Sequence, residues 1–229
     1  MTIRENKFPV KDIVVPQHVL VSVFGKQGLD TLVAGVLACN PDAMFYSTGG
    51  TGKRIGEILG DRAGTNYTSV EQFTKAPEME GGLVKTLHPK LHAGLLAERN
   101  NPHHTQYLLA MQGVYFDMMV GNLYPFGEVV AKPDCTGEQA RINIDIGGPA
   151  MLMAAAKNWH SVAVVSSPDQ YQKVARFLHS YEGIPLELRF RLAQQALTLV
   201  GNYRAAIANH FEGLDFATQV LPHLELEKA

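Results

Sequence analysis

The segment HVLVSVFGKQGLDTLVAGVLA, residues 18–38, carries the pattern that decides the fold. Its first six residues form an almost continuous apolar run, which is typical of a strand buried on both faces of a sheet. A turn containing Gly25 and Gly28 follows, and residues 29–38 have the apolar spacing of a helix. A strand, a glycine turn and a helix in this order predict the start of an α/β fold.

The same order recurs along the chain. Residues 43–46 form a second predicted strand, which leads into STGGT and a helix that continues through Leu59. Two later apolar runs, residues 116–120 and 161–165, predict further buried strands beside helical stretches. Because strands alternate with helices, we expect a mostly parallel sheet with helices on both faces.

The chain divides into three predicted segments. Residues 1–17 form an N-terminal extension, residues 18–183 the α/β domain, and residues 184–229 a C-terminal helical segment packed on that domain. The dense Leu and Phe positions after Pro185 predict one long helix or a pair of helices. This segment either packs on the sheet domain or supplies a dimer surface, and a plain closing helix is the simpler interpretation.

Composition excludes two classes of partner. The 229 residues carry a formal net charge of −2, and 18% of them are charged, so the chain lacks the basic surplus of a nonspecific nucleic-acid binder. No stretch reaches the length of a membrane span, and residues 1–17 lack the apolar core of a signal peptide. The two cysteines stand in no metal or disulfide motif. We therefore expect a cytoplasmic protein with neither nucleic acid nor membrane as its partner.

Two glycine-rich turns are candidate phosphate sites. One is residues 25–28 (GKQG), and the other is residues 47–53 (STGGTGK), each directly after a predicted strand. Glycines let a backbone approach an anion closely, and the N–H groups at the start of the following helix point toward it. The second turn lacks the spacing of a P-loop. Its alternative interpretation is a Ser/Thr helix cap with turn glycines.

A third polar cluster, residues 82–92 (GLVKTLHPKLH), combines lysines with histidines. His88 and His92 have the spacing of a helical zinc pair, but Pro89 stands between them and no Cys or acidic ligand lies at a conventional distance. We therefore expect no metal here. Lys85 and Lys90 are either ligand contacts or simply exposed side chains.

The fourth cluster places two charges in apolar surroundings. Asp145 stands between two isoleucines, and Lys157 follows three alanines. Because a carboxylate and an ammonium in a low dielectric generally need each other, we expect Asp145 to pair with Lys157. The alternative is that this pair is structural and takes no part in chemistry.

Several motifs in order resemble a known family. The motifs are STGGT (47–51), PEMEGGLVKTLHPKLHAGLL (77–96), NLYPF (122–126), AKPDCT (131–136), NIDIGGP (143–149) and AAAKN (154–158). Together they resemble the inosine monophosphate cyclohydrolase domain of the bifunctional purine-biosynthesis proteins. NYRAAIANHF (202–211) resembles the segment that leads into the formyltransferase domain of that family, and we expect that second domain to be absent.

The resemblance implies a methylglyoxal-synthase-like fold and a specific reaction. The reaction closes the purine ring of 5-formamidoimidazole-4-carboxamide ribotide to give inosine monophosphate and water. The resemblance thus implies a cyclohydrolase, which is a hydrolase of cyclic amidine C–N bonds, here acting in the ring-closing direction. It implies neither a cofactor nor a metal. The resemblance also implies a homodimer and a separate formyltransferase that supplies the substrate.

Carried over by position, the resemblance assigns two groups of residues. Its catalytic positions are Lys85, Tyr124, Asp145 and Lys157. Its substrate-binding positions are Lys26, Ser47, Gly49, Gly50, Thr51, Thr86, Asn122, Ile146 and Gly147. In this hypothesis Asp145 accepts or orients the carboxamide proton, Lys157 and Tyr124 stabilise the formyl oxygen, and Lys85 positions the carboxamide and Asp145.

Four residues depart from the family pattern. Phe24 and Gln27 each replace a hydroxyl residue, while Leu83 and Met153 each replace an arginine. Lys53, Arg54 or Lys90 could replace the lost cations. The departures leave an alternative open, a non-catalytic nucleotide-binding regulatory relative. A phosphate-sugar lyase of the same fold is a weaker alternative, because it would not explain KTLHP, NLYPF or AAAKN.

Overall fold

A computed structural model of the chain describes residues 5–77 and 79–227. Parts of three sequence predictions lie outside the described residues. They are the first four residues of the N-terminal extension, Glu78 in the PEMEGG motif, and the last two residues of the C-terminal segment.

In the part of the chain that the structure describes, seven strands form two sheets. The strands are β1 (Ile13–Val14), β2 (His18–Val23), β3 (Met44–Ser47), β4 (Tyr67–Ser69), β5 (Met118–Asn122), β6 (Ala163–Val165) and β7 (Ile184–Pro185). Five of them make a parallel sheet in the order β4-β3-β2-β5-β6, and β1 pairs with β7 antiparallel. The α/β class and the parallel sheet predicted from the sequence are confirmed.

Eleven α-helices occur within residues 5–77 and 79–227. They are α1 (Leu29–Cys39), α2 (Gly49–Leu59), α3 (Ala63–Asn66), α4 (Val70–Thr74), α5 (Pro89–Leu96), α6 (Pro102–Ala110), α7 (Phe126–Val130), α8 (Gly137–Ile142), α9 (Gly147–Lys157), α10 (Tyr171–Tyr181) and α11 (Leu186–Glu212). Helices α1 and α10 pack together on one face of the sheet, and α9 packs with α5 and α11 on the other. Both faces are thus covered, as the alternating pattern predicted.

The central strand β2 fixes the geometry of the sheet. Its residues Val19, Leu20 and Val21 are each 1% exposed, which explains the continuous apolar run. Val21 lies opposite Ser47 of β3, and Val23 lies opposite Asn122 of β5. The carboxyl ends of these three strands therefore meet at one edge of the sheet.

The predicted strands differ from the observed ones in their bounds. The prediction for β2 is confirmed, whereas β5 and β6 each begin two residues later than predicted. Strand β4 was not predicted, because it is a three-residue edge strand whose residues are only partly buried. An apolar run shows where the chain is buried, but it does not show where strand pairing begins.

The C-terminal segment begins with one 27-residue helix, α11, rather than a helical pair. Its first half packs on α9 and β6, and Val200 is the last fully buried residue of the helix. A π-helical turn (Phe216–Val220) and a 3₁₀ turn (Leu221–His223) follow it. In the described part of the chain, no helix combines the length and apolar character needed to cross a bilayer.

A buried arginine ties the N-terminal extension to the start of α11. The side chain of Arg189 is 0% exposed and donates to the backbone carbonyls of five residues. Those residues are Lys11, Asp12, Trp159, His160 and Ile184. Burial lowers the pKa of Arg189 to about 10, so the guanidinium remains charged at neutral pH.

Candidate active site

A cleft of about 390 Å³ opens beyond the carboxyl ends of β2, β3 and β5. Parallel α/β sheets commonly bind ligands at this position, where consecutive strands turn to opposite sides of the sheet. The lining residues come from five separate parts of the chain. The polar, charged and glycine residues among them are Ser22, Lys26, Thr48, Gly49, Gly50, Thr51, Gly81, Gly82, Lys85, Thr86, Asn122, Tyr124, Asp145, Gly147 and Gly148.

The start of α2 faces this cleft with backbone N–H groups that no capping side chain accepts from. The N-cap residue Thr48 has an extended backbone, and its side chain makes no capping hydrogen bond. The hydroxyl of Thr51 instead donates to the backbone carbonyl of Val23 at 2.9 Å. The interpretation of this turn as a Ser/Thr cap is therefore wrong. The first N–H groups of an uncapped helix attract anions, so Gly49, Gly50 and Thr51 form a candidate phosphate cradle.

The start of α9 reaches the same cleft. Its N-cap residue is Ile146, which has no side-chain acceptor for the helix N–H groups. Gly147 lies directly against the hydroxyl of Thr86, so that a Cβ at this glycine would overlap the hydroxyl oxygen. Two helix N-termini and the segment that contains Lys85 and Thr86 thus meet around one volume.

Asp145 is the only acidic side chain that lines the cleft within the described residues. Its Oδ1 accepts a hydrogen bond from the backbone N–H of Gly148 at 2.9 Å. Burial raises the pKa of the Asp145 carboxyl, although hydrogen bonds from the backbone of Gly148 and Tyr124 lower it in part. A carboxylate with a raised pKa is a better proton acceptor than an exposed one.

Two lysines bring positive charge to the cleft. Lys85 Nζ lies 3.8 Å from the point that a Cβ on Gly49 would occupy, close to the start of α2. Lys26 Nζ donates to the backbone carbonyl of Phe24 at 3.0 Å, and its Cε approaches the corresponding point at Gly50 to 4.0 Å. Both ammonium groups therefore lie near the glycines of the candidate phosphate cradle.

Asn122 fixes the loop that follows β2. Its Oδ1 accepts from the N–H groups of Phe24 and Gly25 at 2.6 and 3.0 Å, and its Nδ2 donates to the Gly25 carbonyl at 2.8 Å. The ring of Phe24 in turn packs edge-on against Tyr124 at a centroid distance of 5.4 Å. Asn122 was predicted to bind substrate, but its side chain is occupied in holding this loop.

Lys157, predicted to be catalytic, does not line the cleft. It is exposed at the last position of α9, whereas Asp145 precedes the first, and an 11-residue helix is about 15 Å long. No ion pair joins the two residues in the described structure. The predicted pairing of Asp145 with Lys157 is therefore wrong within one chain. The neighbouring alanines are buried, but the helix turns Lys157 toward solvent.

Other sequence expectations also need correction. Ser47 is 1% exposed and does not line the cleft, because it is the last residue of β3 and its side chain points into the interior. Ile146, predicted to bind substrate, lines the cleft, but it is 58% exposed rather than buried beside Asp145. Met153 packs partly buried against the core, and Phe24 and Leu83 do line the cleft.

The residues of the third cluster divide between two roles. Lys85 and Thr86 line the cleft, whereas Lys90 is buried with its Nζ donating to the Phe73 carbonyl at 2.6 Å. Lys90 therefore cannot replace the missing arginines, and Lys53 and Arg54 lie outside the cleft lining. His88 caps α5 by accepting from the Lys90 N–H.

Sequence reasoning missed Tyr203 at this site. Its hydroxyl oxygen accepts a hydrogen bond from the backbone N–H of Asp145 at 2.8 Å, across 58 positions of sequence. Thr48, in the turn predicted as a phosphate site, does line the cleft. No local pattern marks Tyr203, because its position in a long helix says nothing about a contact with a distant loop.

Comparisons with known proteins point to one family. The family described as "AICARFT/IMPCHase bienzyme" matches residues 155–228. The bifunctional purine biosynthesis protein PurH of Acidithiobacillus ferrooxidans is 41% identical over 196 residues, which are 85% of this chain and 36% of that protein. PurH of a Synechococcus species is 44% identical over 189 residues, 82% of this chain and 35% of that protein.

The chain is a relative of the PurH proteins. It spans about a third of the length of the curated PurH proteins that it matches. A solved structure titled "Crystal structure of ForH" superposes with a TM-score of 0.70 at 29% identity, covering 86% of this chain and 99% of that one. The PurH resemblance seen in the motifs is thus confirmed, and so is the parallel α/β fold.

Proposed function

We propose that this PurH relative is an inosine monophosphate cyclohydrolase. In this proposal the cleft binds 5-formamidoimidazole-4-carboxamide ribotide and closes its ring to inosine monophosphate, with release of water. The observation that carries the proposal is the convergence of Asp145, Lys85 and Tyr124 with the N-termini of α2 and α9 on one cleft.

The anionic end of the substrate is assigned to the start of α2. The N–H groups of Gly49, Gly50 and Thr51 and the nearby ammonium groups of Lys26 and Lys85 would contact the phosphate. With the phosphate held there, the heterocycle would extend toward Asp145 and Tyr124. Holding both reacting groups in one orientation supplies much of the acceleration in an intramolecular reaction.

The chemistry then follows from the groups in the cleft. The carboxamide nitrogen attacks the formyl carbon, a C–N bond forms, and Asp145 accepts a proton from that nitrogen. Tyr124 stabilises the negative charge that develops on the formyl oxygen, and Asp145 returns its proton to that oxygen. The C–O bond then breaks, the formamido N–H supplies the second proton of the departing water, and a C=N bond forms in the closed ring. Lys85 orients the carboxamide. These steps involve no redox change, and the proposal assigns neither a cofactor nor a metal.

Lys157 has no assigned step in this single-chain mechanism, in contrast to what the family resemblance implied. The proposal retains the homodimer, the cytoplasmic location and the separate formyltransferase that would supply substrate. Exposed apolar residues at the rim of the cleft favour the homodimer, since Leu83 and Ile142 are 69% and 61% exposed.

A second candidate function is a nucleotide-binding regulatory relative without turnover. Phe24 and Leu83 favour it, because both line the cleft in place of polar or cationic residues. Among the described lining residues, no cation beyond Lys26 and Lys85 replaces them. Against it stand the carboxylate of Asp145 and its raised pKa, since binding of an anion gains nothing from a second negative group.

One assay separates the two functions. Purified protein is mixed with the formylated ribotide, and formation of inosine monophosphate is followed by absorbance against the spontaneous reaction. A cyclohydrolase gives saturable acceleration that the Asp145→Asn variant loses. Nucleotide binding measured by calorimetry without any acceleration would support the regulatory relative and overturn the proposed enzyme.

A further inference from the structure

The backbone at Asp145 is held by the C-terminal helix rather than by the α/β domain. Residues 144–146 lie between α8 and α9, outside any strand or helix. The N–H of Asp145 donates to the hydroxyl of Tyr203, on α11, at 2.8 Å. The orientation of the Asp145 carboxylate thus depends on a contact made by a helix 58 positions later in the chain.

Tyr203 is itself held in place. Its ring packs edge-on against the buried Phe126 at a centroid distance of 6.3 Å. Toward its N-terminus α11 is anchored in the core by Leu192, Ala196 and Val200, which are between 0 and 2% exposed. The packing of α11 in the core therefore fixes the position of the Tyr203 hydroxyl.

The hydroxyl also has the protonation state that this contact needs. Burial raises the pKa of Tyr203, so the phenol is neutral at physiological pH and its oxygen can accept the Asp145 N–H while its proton remains available. At Asp145, the Gly148 N–H holds one carboxylate oxygen and Tyr203 holds the backbone. The two hydrogen bonds act on opposite ends of the same residue.

We propose that Tyr203 is a positioning residue for Asp145, fixing the direction in which this carboxylate faces the substrate. This inference rests on the proposed function, because it gives the residue its role through the general base. It also assigns α11 a part in the active site, so that the C-terminal helix is more than a closing element of the fold.

The Tyr203→Phe variant tests the inference. It removes one oxygen atom and keeps the ring that packs on Phe126. We expect kcat for ring closure to fall by about 10- to 100-fold, since a displacement near 1 Å has this order of effect, while KM changes less than about threefold. Tyr181→Phe is the matched control, because Tyr181 is exposed and stacks on Phe177 far from the cleft. It should retain wild-type kcat.

A second readout does not depend on turnover. NMR of protein labelled at the aspartate carboxyl carbons gives the Asp145 titration, assigned with Asp145→Asn. In Tyr203→Phe the loosened carboxylate reaches more solvent, so its pKa should fall toward the ordinary value of 3.8. The same spectra show whether the fold is retained.

The outcomes distinguish this inference from the proposed function. Wild-type protein without ring-closing activity would overturn the proposed function, and the carboxyl titration would still show whether Tyr203 positions Asp145. An unchanged Asp145 titration in Tyr203→Phe would overturn the inference, whatever its kcat. A shifted titration with wild-type kcat would show that the contact is structural, and would overturn the inference as well.

Discussion

The hydroxyl of Thr86 occupies the space in which a side chain on Gly147 would begin. Thr86 follows Lys85 directly, and Gly147 is the first residue of α9. This contact therefore sets the distance between the Lys85 segment and the helix whose start lies beside Asp145. Adding one methyl group at Gly147 would therefore displace residues on both sides of the cleft.

The Gly147→Ala variant should bind nucleotide about tenfold more weakly, because the new methyl group pushes Thr86 and α9 apart. Calorimetric titration with inosine monophosphate measures the effect. Adding Thr86→Ala should restore binding in part, since the Thr86 Cβ lies 3.6 Å from the new methyl position, an ordinary contact. Gly201→Ala is the control, because nothing lies within 4 Å of that position. Equal binding by wild type and Gly147→Ala would contradict the expectation.

The two lysines that the family resemblance treats alike should behave differently. Lys85→Ala removes an ammonium that lines the cleft, and we expect kcat/KM to fall at least about 100-fold. Lys157→Ala removes an exposed ammonium at the far end of α9, and activity should stay within about threefold of wild type. Initial rates of ring closure compare the two. A large loss in Lys157→Ala would show that this side chain reaches an active site that one chain does not complete.

The pH dependence of activity should follow the Asp145 carboxyl. Its pKa lies above the ordinary value of 3.8 because of burial, and only the ionised form accepts a proton. As pH falls through this raised pKa, kcat/KM should fall with it. A fall in kcat/KM centred on the ordinary carboxyl pKa would contradict the assignment of Asp145 as the base.

The same pKa shift makes a prediction for stability. Because the folded pKa is above the unfolded one, ionisation of Asp145 opposes folding as pH rises through the interval between them. Asp145→Asn should therefore unfold at higher urea concentration than wild type at pH 7, and this difference should disappear at pH 3. Asp61→Asn, at an exposed turn after α2, serves as the control. A less stable Asp145→Asn at pH 7 would contradict the sign of the shift.

Returning a cation to the cleft should strengthen nucleotide binding. Leu83 lines the cleft and is 69% exposed, so an arginine there has room to reach a phosphate. A new charge-assisted hydrogen bond contributes about 1.5–3 kcal/mol, so Leu83→Arg should lower the Kd by about one to two decades at low salt. Leu109→Arg adds the same charge at a 72% exposed position of α6, outside the cleft lining, and should leave the Kd unchanged. Equal affinity gains in both variants would indicate nonspecific attraction.

Removing the buried guanidinium should loosen the N-terminal extension. Arg189→Met leaves the carbonyls of five residues without their donor, and we expect a loss of at least about 3 kcal/mol in the free energy of unfolding. Urea denaturation measures the loss. The control is Arg191→Met, two positions later, where the arginine is exposed and pairs only with Glu187 among the described residues. That change should stay within about 0.5 kcal/mol.

Sequence patterns predicted the fold more fully than the site. Val19, Leu20 and Val21 are buried on both faces of the sheet, and this burial is what a continuous apolar run reports. The glycine turn after β3 was found because its residues are adjacent in sequence. Lys157 was misplaced because adjacency to buried alanines does not say which way a helix turns its last residue. Tyr203 was missed because its contact is set by packing between α11 and α7.

The bonds of Arg189 also constrain when the molecule can complete its fold. The Arg189 side chain reaches back 177 positions to Asp12, and β1 finds its pairing strand only at Ile184. At ribosomal rates of about 5–20 residues per second, the first strand waits roughly 10–35 s for these residues to be synthesised. During that interval the N-terminal extension can contact residues such as Asn40, Asn100 and Asp117, but it lacks both the partner strand of β1 and the Arg189 guanidinium. A nascent chain halted before residue 184 should therefore leave residues 5–17 more open to protease than a chain extended past α11.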